Sequence, residues 1–496
     1  IWAGTSNGLI HVTRDHGRTW ANVTPPNLPS TGINVIDASH ANAGTAYAAM
    51  LSRDGHPHIY RTSDYGKAWQ EISSGLTDGE VVRVVREDPV DPNLIYAGTV
   101  TSAYVSFDRG DHWQSLQLNL PSTVVSDMTI HDNDLVISTY GRGFWILDDV
   151  SPLRQVKAAM ASTGPAYLFR PAPASRARWD NTQDTPVPPE MKVGDNPPEG
   201  AILDYYLSSP ASGTVTLAVS DAAGRVIREY SSVPPPADTT MANVPEYWLA
   251  PPMVLPTTAG MHRVAWDLRY PDPPALNYGY SGTLLDYREY TLSWHALPGL
   301  TPRTTLVGPM VLPGTYTATL TVNGRSNTQP VTIVADPRVP VPAAALAAQF
   351  QLQQRMVAGI GATYRAFNHI QELRAALGAR TTQANNAPIA TAGQALDAAL
   401  NQIASGPAGL GVAHRDLGRR LNDQLVGDVQ PTASVVAGVD APCRAIDTAL
   451  DGLRKLESTR VVELNTMLAR AGLAALPAWT PSAGPACGPW RPSSGG

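Results

Sequence analysis

Three regimes of hydrophobic patterning divide the chain. In the first 150 residues, short runs of β-branched, aromatic and small residues recur between turn-forming segments. From 201 to 336 apolar and polar residues alternate, and after Asp336-Pro337-Arg338 apolar residues return every three or four positions. The alternation predicts strands at Ala201–Leu207, 214–220, 225–230, 262–268, Gly314–Val322 and 329–334, with Asn323-Gly324 as a hairpin turn between the last two. The third regime puts Leu346, Phe350, Met356, Ile360, Tyr364, Phe367, Ile370, Leu373 and Leu377 on one stripe of a long helix, and predicts further helices at about 391–404, 411–426 and 442–472. An antiparallel bundle follows from this pattern.

The first regime is a repeat. Ser106-Phe107-Asp108-Arg109-Gly110-Asp111-His112-Trp113 is preceded by Thr13-Arg14-Asp15-His16-Gly17-Arg18-Thr19-Trp20 and by Thr62-Ser63-Asp64-Tyr65-Gly66-Lys67-Ala68-Trp69, with 49 residues from Asp15 to Asp64 and 44 from Asp64 to Asp108. One four-stranded propeller blade occupies roughly 40–50 residues. Each motif has a local chemistry: Asp bonds backbone N–H groups just ahead and closes a turn, Gly supplies the positive φ, and Trp opens the next strand with a large ring to pack between blades. Upstream of the motifs, Ile1-Trp2-Ala3-Gly4-Thr5, Thr45-Ala46-Tyr47-Ala48-Ala49 and Ile95-Tyr96-Ala97-Gly98-Thr99 take equivalent places as second strands packed on both faces, as does Val136-Ile137-Ser138-Thr139-Tyr140 in a final unit. Innermost strands are predicted at Ile33–Ala38, 81–86 and Val125–His131.

The count is a partial blade at about 1–30, whole blades at about 31–75 and 76–118, and a last one at about 120–150. A ring needs at least four complete blades. Residues 1–150 are therefore expected to be completed by a lost N-terminal segment or by a second chain, since an open ring leaves unpaired strands and bare apolar faces.

The Ser/Thr-x-Asp-x-Gly-x-x-Trp motif resembles the Asp-box, the bacterial neuraminidase repeat of sialidases, xyloglucanase-type glycoside hydrolases and sortilin-type receptors. The resemblance implies a structural role for Asp15, Gly17, Trp20, Asp64, Gly66, Trp69, Asp108, Gly110 and Trp113, on the rim away from the ligand face. The closing stretch from Ser138 to Asp149, with its Gly141-Arg142-Gly143 turn, resembles the end of the propeller in large secreted bacterial proteins labelled sortilin-like or glycosyl hydrolase. The order of propeller end, sandwich and bundle resembles the C-terminal half of those proteins, and departs from animal sortilins, whose propeller precedes small Cys-rich modules. Tyr140 and Arg142 are expected where strands of neighbouring blades converge, either contacting a ligand or, for Arg142, pairing with a carboxylate while Tyr140 packs.

The chain as a whole is read as multidomain and mainly β. Residues 1–150 are the last blades of a propeller and 151–200 a Pro-rich extended linker. Residues 201–336 form an immunoglobulin- or fibronectin-like β-sandwich with Trp266 in its core, 337–476 the helical bundle, and 477–496 an extended tail. Residues 231–260 and 271–310 are long insertions, and long loops are often functional. Tyr278, Tyr280, Tyr287, Tyr290 and Trp294 gather in the second, as a sugar or protein contact or as packing for the loop.

Composition narrows the function classes. A net charge of −6, with no Lys/Arg run, disfavours nucleic acid and anionic membrane as partners. No apolar run is long enough to span a bilayer. Cys443 and Cys487 are the only cysteines. They are expected to bridge the tail to the last helix in an oxidising, extracellular or periplasmic setting; two separate buried thiols are the alternative. No metal-ligand spacing, phosphate loop or nucleophile elbow occurs, so no metal or cofactor is expected. Glycoside hydrolysis needs two carboxylates about 5–10 Å apart; Asp127, Asp132, Asp134, Asp148 and Asp149 are available, but sequence cannot pair them. Three readings follow: a secreted binding or scaffold protein for a glycan or polypeptide, a sialidase- or xyloglucanase-like hydrolase with its acids mostly outside this chain, and a structural subunit of a surface assembly.

Overall fold

A computed structural model describes every residue except 27, 29–31, 53, 179–189, 192–193, 195–196, 237–240, 250, 278–289, 292–302, 305, 425–426, 480–483 and 489–496. The chain divides into two compact units, one of Ile1–Ala172, Ile202–Pro210 and Thr258–Arg263, the other of Pro173–Ala201, Ala211–Thr257 and Val264–Gly496.

In the first unit four antiparallel meanders follow one another. They are β1 (Trp2–Gly4), β2 (Ile10–Val12) and β3 (Ala21–Asn22); β4 (Ile33–Ala38), β5 (Ala46–Met50), β6 (Ile59–Thr62) and β7 (Gln70–Glu71); β8 (Val82–Glu87), β9 (Ile95–Thr99), β10 (Ala103–Ser106) and β11 (Gln114–Ser115); and β12 (Val125–His131), β13 (Asp134–Thr139) and β14 (Phe144–Leu147). The predicted strands stand within about a residue of these bounds, except that β13 begins two residues earlier than expected, at Asp134. Every residue of β5 and β9 is buried, because these strands have sheet on both faces. Tyr47, Ile59, Val82, Val85, Ile95 and Trp113 fill the space between the second and third sheets, and Val84, Tyr96, Val105, Val125, Met128 and Leu135 that between the third and fourth. Small residues let the sheets approach: a Cβ on Gly98 would stand 2.8 Å from both Val125 Cβ and Val84 Cγ1.

Beyond the meanders come α1 (Val156–Ala161), β15 (Ala166–Leu168), β16 (Ala174–Arg176), β17 (Ala201–Leu207), β18 (Val215–Ser220), β19 (Val226–Ser231) and β20 (Gly260–Trp266). The stretch expected as an extended linker thus carries a short helix and two strands. Their partners, Ala201–Leu207 for β15 and Arg325–Ala335 for β16, are distant in sequence, so no local pattern announces them. Strands β15, β17 and β20 form one sheet. Arg263 fixes it within the first unit: its guanidinium bonds Asp204 at 3.0 and 3.1 Å and donates to the carbonyls of Asp148 and Asp149. Arg154 similarly grips the buried Asp88 through two bonds of 2.9 and 3.0 Å.

In the second unit β21 (Tyr290–Thr291) pairs with β22 (Arg303–Thr304), and β23 (Gly314–Val322) and β24 (Arg325–Ala335) join a five-stranded sheet of order β16-β24-β23-β18-β19. Trp266 is fully buried edge-on against Tyr316 and donates its indole N–H to the Arg269 carbonyl. The helices are α2 (Ala343–Ala384), α3 (Ala387–Ser405), α4 (Leu410–Asp423), α5 (Ala433–Leu456) and α6 (Val462–Arg470). Asn385, at φ 44°, ends α2 in the left-handed conformation, and Asn386 caps α3 by accepting from the Ile389 N–H. The last predicted helix starts earlier, at Ala433, and a π-helical turn at Glu457–Val461 divides it. There Glu457 bonds His369 at 2.6 Å, and the His369 ring stacks on Trp479 of the tail.

Two features pin the second unit. Cys443 and Cys487 form a disulfide with Cα atoms 5.8 Å apart, seated in a notch where a Cβ on Gly359 would lie 2.6 Å from Cys487 Sγ. His414 is fully buried on α4; its Nε2 accepts from the Leu276 N–H at 3.1 Å, so Nδ1 carries the proton and donates to Thr363 Oγ1, which in turn donates to the Ile360 carbonyl.

The bridge closes a loop of 44 residues, and the Cys443→Ser/Cys487→Ser variant should lose about 4 kcal/mol in urea unfolding followed by helical circular dichroism. Burial pushes His414 down to about 4 from 6.5. Its stabilising contribution is complete above pH 6.5 and is lost as pH falls toward 4, by about 3 kcal/mol. The same unfolding experiment at pH 7 and pH 4 should show that loss, and His414→Gln should remove that share of the pH dependence.

Candidate functional site

The three repeated turns share one set of bonds. In the first, Thr13 Oγ1 donates to Asp15 Oδ1 at 2.8 Å and accepts from Gly17 N at 2.9 Å, while Asp15 accepts from the N–H and hydroxyl of Thr19. Thr62, Asp64, Gly66 and Ala68 repeat the arrangement, as do Ser106, Asp108, Gly110 and His112. The glycines stand at φ 89°, 81° and 91°, each after a left-handed His16, Tyr65 or Arg109. The Thr19 hydroxyl and N–H hold Asp15 down to about 2, and the Ala68 N–H lowers Asp64. Charged acceptors so engaged close turns; they cannot serve as proton donors near neutral pH.

The second and third tryptophans reach back to the preceding sheet. Trp69 Nε1 donates to the Val23 carbonyl at 2.8 Å and Trp113 Nε1 to the Ile72 carbonyl at 2.6 Å. Trp113 is buried, Trp69 partly so, whereas Trp20 is 44% exposed and its indole N–H has no acceptor among the described residues. Packing between sheets, expected of all three rings, is not seen for Trp20, against whose ring no sheet packs among the described residues.

Strand pairing separates the two ends of the meanders. Thr62 and Ser106 lie at the Ala38/Ala46 and Glu87/Ile95 ends of their sheets. The opposite end gathers the β5–β6 loop, the β7–β8 and β9–β10 connections and the β13–β14 turn. His58 sits there between two carboxylates, Nδ1 to Glu71 Oε1 at 2.5 Å and Nε2 to Asp54 Oδ2 at 3.0 Å, with its side chain only 12% exposed. His56, by contrast, has its side chain 64% exposed beside Asp78. The Ser52 hydroxyl, the His56 N–H and His58 all lower Asp54. Glu80 is buried; one oxygen accepts from Thr101 Oγ1 and the other has no hydrogen-bond partner among the described residues. Asp54, His56 and His58 share one loop, whereas Glu71, Asp78, Glu80 and Thr101 come from later segments, and no motif spacing marks the group.

Tyr140 and Arg142 occupy the tip of the β13–β14 turn at this same end. Tyr140 is 82% exposed, Arg142 is exposed, and neither side chain has a bonded partner among the described residues. Neither the expected packing of Tyr140 nor the ion pair of Arg142 forms. Tyr278, Tyr280 and Trp294, with Tyr287, lie outside the described residues, as does the Tyr290 side chain. Of the acids available for hydrolysis, Asp127 pairs with Arg86 at 2.7 Å. Asp132, Asp134, Asp148 and Asp149 lie at the end that carries the repeated turns, where Asp134 accepts from the Asp149 N–H and burial, with Asp134 nearby, raises Asp148. The candidate end therefore has a cationic and aromatic tip and a His-carboxylate cluster. Among the described residues no group of His, Cys, Asp and Glu could hold a metal ion, and no described helix is long and apolar enough to cross a membrane.

No family model and no curated protein matches the chain. Solved structures from β-propeller families resemble parts of it. YCF48 bound to D1 peptide is 19% identical over 29% of this chain and 46% of that one, with a TM-score of 0.25. The GH74 xyloglucanase from Xanthomonas campestris is 17% identical over 48% and 36%, with a TM-score of 0.25. A leech intramolecular trans-sialidase is 20% identical over 28% and 25%, with a TM-score of 0.21. The chain spans less than half the length of each.

The turns also set a test of sheet contact. Gly66 and Gly17 share a left-handed conformation, but a Cβ on Gly66 would stand 2.7 Å from Val23 Cβ, while on Gly17 it would meet only Trp20 Nε1 at 4.0 Å. Gly17→Ala should cost about 1–2 kcal/mol of conformational strain. Gly66→Ala should cost more, compared by urea unfolding of the two variants side by side.

Proposed function

We propose that this chain belongs to a secreted or periplasmic β-propeller protein that binds a glycan or a polypeptide through the blade end opposite its Asp-box turns. Blades outside these 496 residues complete its ring, and an immunoglobulin- or fibronectin-like sandwich and a helical bundle follow the propeller. The observation that carries the binding role is the β13–β14 tip, where Tyr140 and Arg142 stand exposed with no side-chain partner. An aromatic face beside a guanidinium suits a sugar ring or a peptide bearing a carboxylate. The Asp-box carboxylates are engaged in closing turns, and Asp127 is held by Arg86, which favours binding over hydrolysis.

Immobilised polysaccharides and acidic peptides, with chromogenic glycosides in parallel, test the role. Binding without turnover, weakened at least tenfold (about 1.4 kcal/mol) in the Tyr140→Ala/Arg142→Ala variant, is the expected result. Turnover abolished by Asp54→Asn would replace it with the hydrolase reading.

A further inference from the structure

The interfaces between successive sheets repeat three contacts. The box tryptophan donates to the carbonyl three residues beyond the preceding tryptophan, Trp69 to Val23 and Trp113 to Ile72. The box glycine takes the side chain of that same β-branched residue, Gly66 against Val23 and Gly110 against Ile72. The residue before the glycine meets the one before the preceding Asp: Tyr65 lies under the Arg14 guanidinium, 4.0 Å from ring centroid to Cζ, and Arg109 bonds Ser63 at 3.4 Å. In the first box all three positions lack these partners among the described residues. His16 and Trp20 are exposed, and Gly17 meets only its own Trp20.

We propose that the face formed by His16, Gly17 and Trp20 is the docking surface for one further four-stranded blade, of sequence pattern Ser/Thr-x-Asp-x-Gly-x-x-Trp-x-x-Val/Ile. The last residue of that pattern fills the space over Gly17 and its carbonyl takes the Trp20 N–H. The proposal rests on the propeller reading and is independent of any ligand at Tyr140 and Arg142. Continuity with the two interfaces already built identifies the occupant. A second copy of this chain does not offer it: the Val23 and Ile72 carbonyls are taken, Leu116 packs with the core under the fourth sheet, and the fourth sheet has no box.

The chain itself supplies the probe. Ile95-Tyr96-Ala97-Gly98-Thr99 matches Ile1-Trp2-Ala3-Gly4-Thr5, so residues 33–94 copied ahead of Ile1 present in register a box-bearing blade, with its Ile72, and the inner strand that the first sheet lacks. The contribution of Trp20 to acrylamide quenching, read as the parent minus Trp20→Phe, is present in the 496-residue chain and should be lost in the extended one. Trp20 quenched equally in both overturns the proposal. So does a Trp20 already protected in the unextended chain with a dimer in native mass spectrometry, since a second copy would then be the occupant. A measurement that does not need the extension to fold is thermal melting of the unextended chain. Trp20→Phe should leave the midpoint unchanged while Trp113→Phe lowers it by several degrees; equal losses would place Trp20 inside an existing core and overturn the inference.

Discussion

The bond from an indole N–H to the backbone of the preceding sheet is the constraint around which the first unit is built. It requires a tryptophan at the start of each outermost strand, and a glycine where the neighbouring side chain would otherwise collide. It also requires a turn rigid enough to present both. The side chains supply that rigidity: the Ser/Thr hydroxyl accepts from the glycine N–H of a left-handed pair and the Asp from the N–H two residues further on, supporting a conformation otherwise costly. Once the turns are set, the second strands lie between two sheets and must be apolar on both faces and small where the sheets approach, as Ala46, Ala48, Ala49, Ala97 and Gly98 are.

Chemistry is divided between the two ends of these sheets by the same geometry. At one end the carboxylates of the repeated turns are consumed by backbone and hydroxyl donors. At the other, loops free of the turn pattern bring His58 between Asp54 and Glu71, and leave Tyr140 and Arg142 in solvent. Buried ion pairs then fix the segments that follow. Arg154 on Asp88 and Arg263 on Asp204 are two-pronged contacts, and each guanidinium also bonds neutral oxygens, Asn133 Oδ1 for one and the Asp148 and Asp149 carbonyls for the other. Such pairs contribute less to net stability than to register, because loss of either partner strands a charge away from water.

In the second unit the polar groups of the core act as clamps between segments remote in sequence. A neutral His414 joins α4 to Leu276 and to α2, and the disulfide ties the tail to α5 over the Gly359 notch. The histidine clamp works only in a dry interior, where an accepted N–H cannot be exchanged for water, whereas the covalent bridge has no such requirement.

Much of the fold was legible in the order of residues, since period and spacing are local consequences of local geometry. The three repeated turns, the limits of β4, β12, β17 and β23 and the stripe of α2 follow from patterns a few residues wide, whereas the bridge, expected only because the chain has two cysteines, spans 44 residues. Three features were decided in three dimensions. Strands β15 and β16 exist because distant strands accept them. The π-helical turn at Glu457–Val461 carries the carboxylate that bonds His369. Trp20 carries the same motif as Trp113 and yet stands in solvent, because burial is a property of the neighbour and not of the motif. The candidate site divides the same way. Tyr140 and Arg142 could be read from a Gly-Arg-Gly turn, but that they stand unpartnered, at the same end as an acid-flanked His58 that no spacing announced, depends on how strands pair across the sheets.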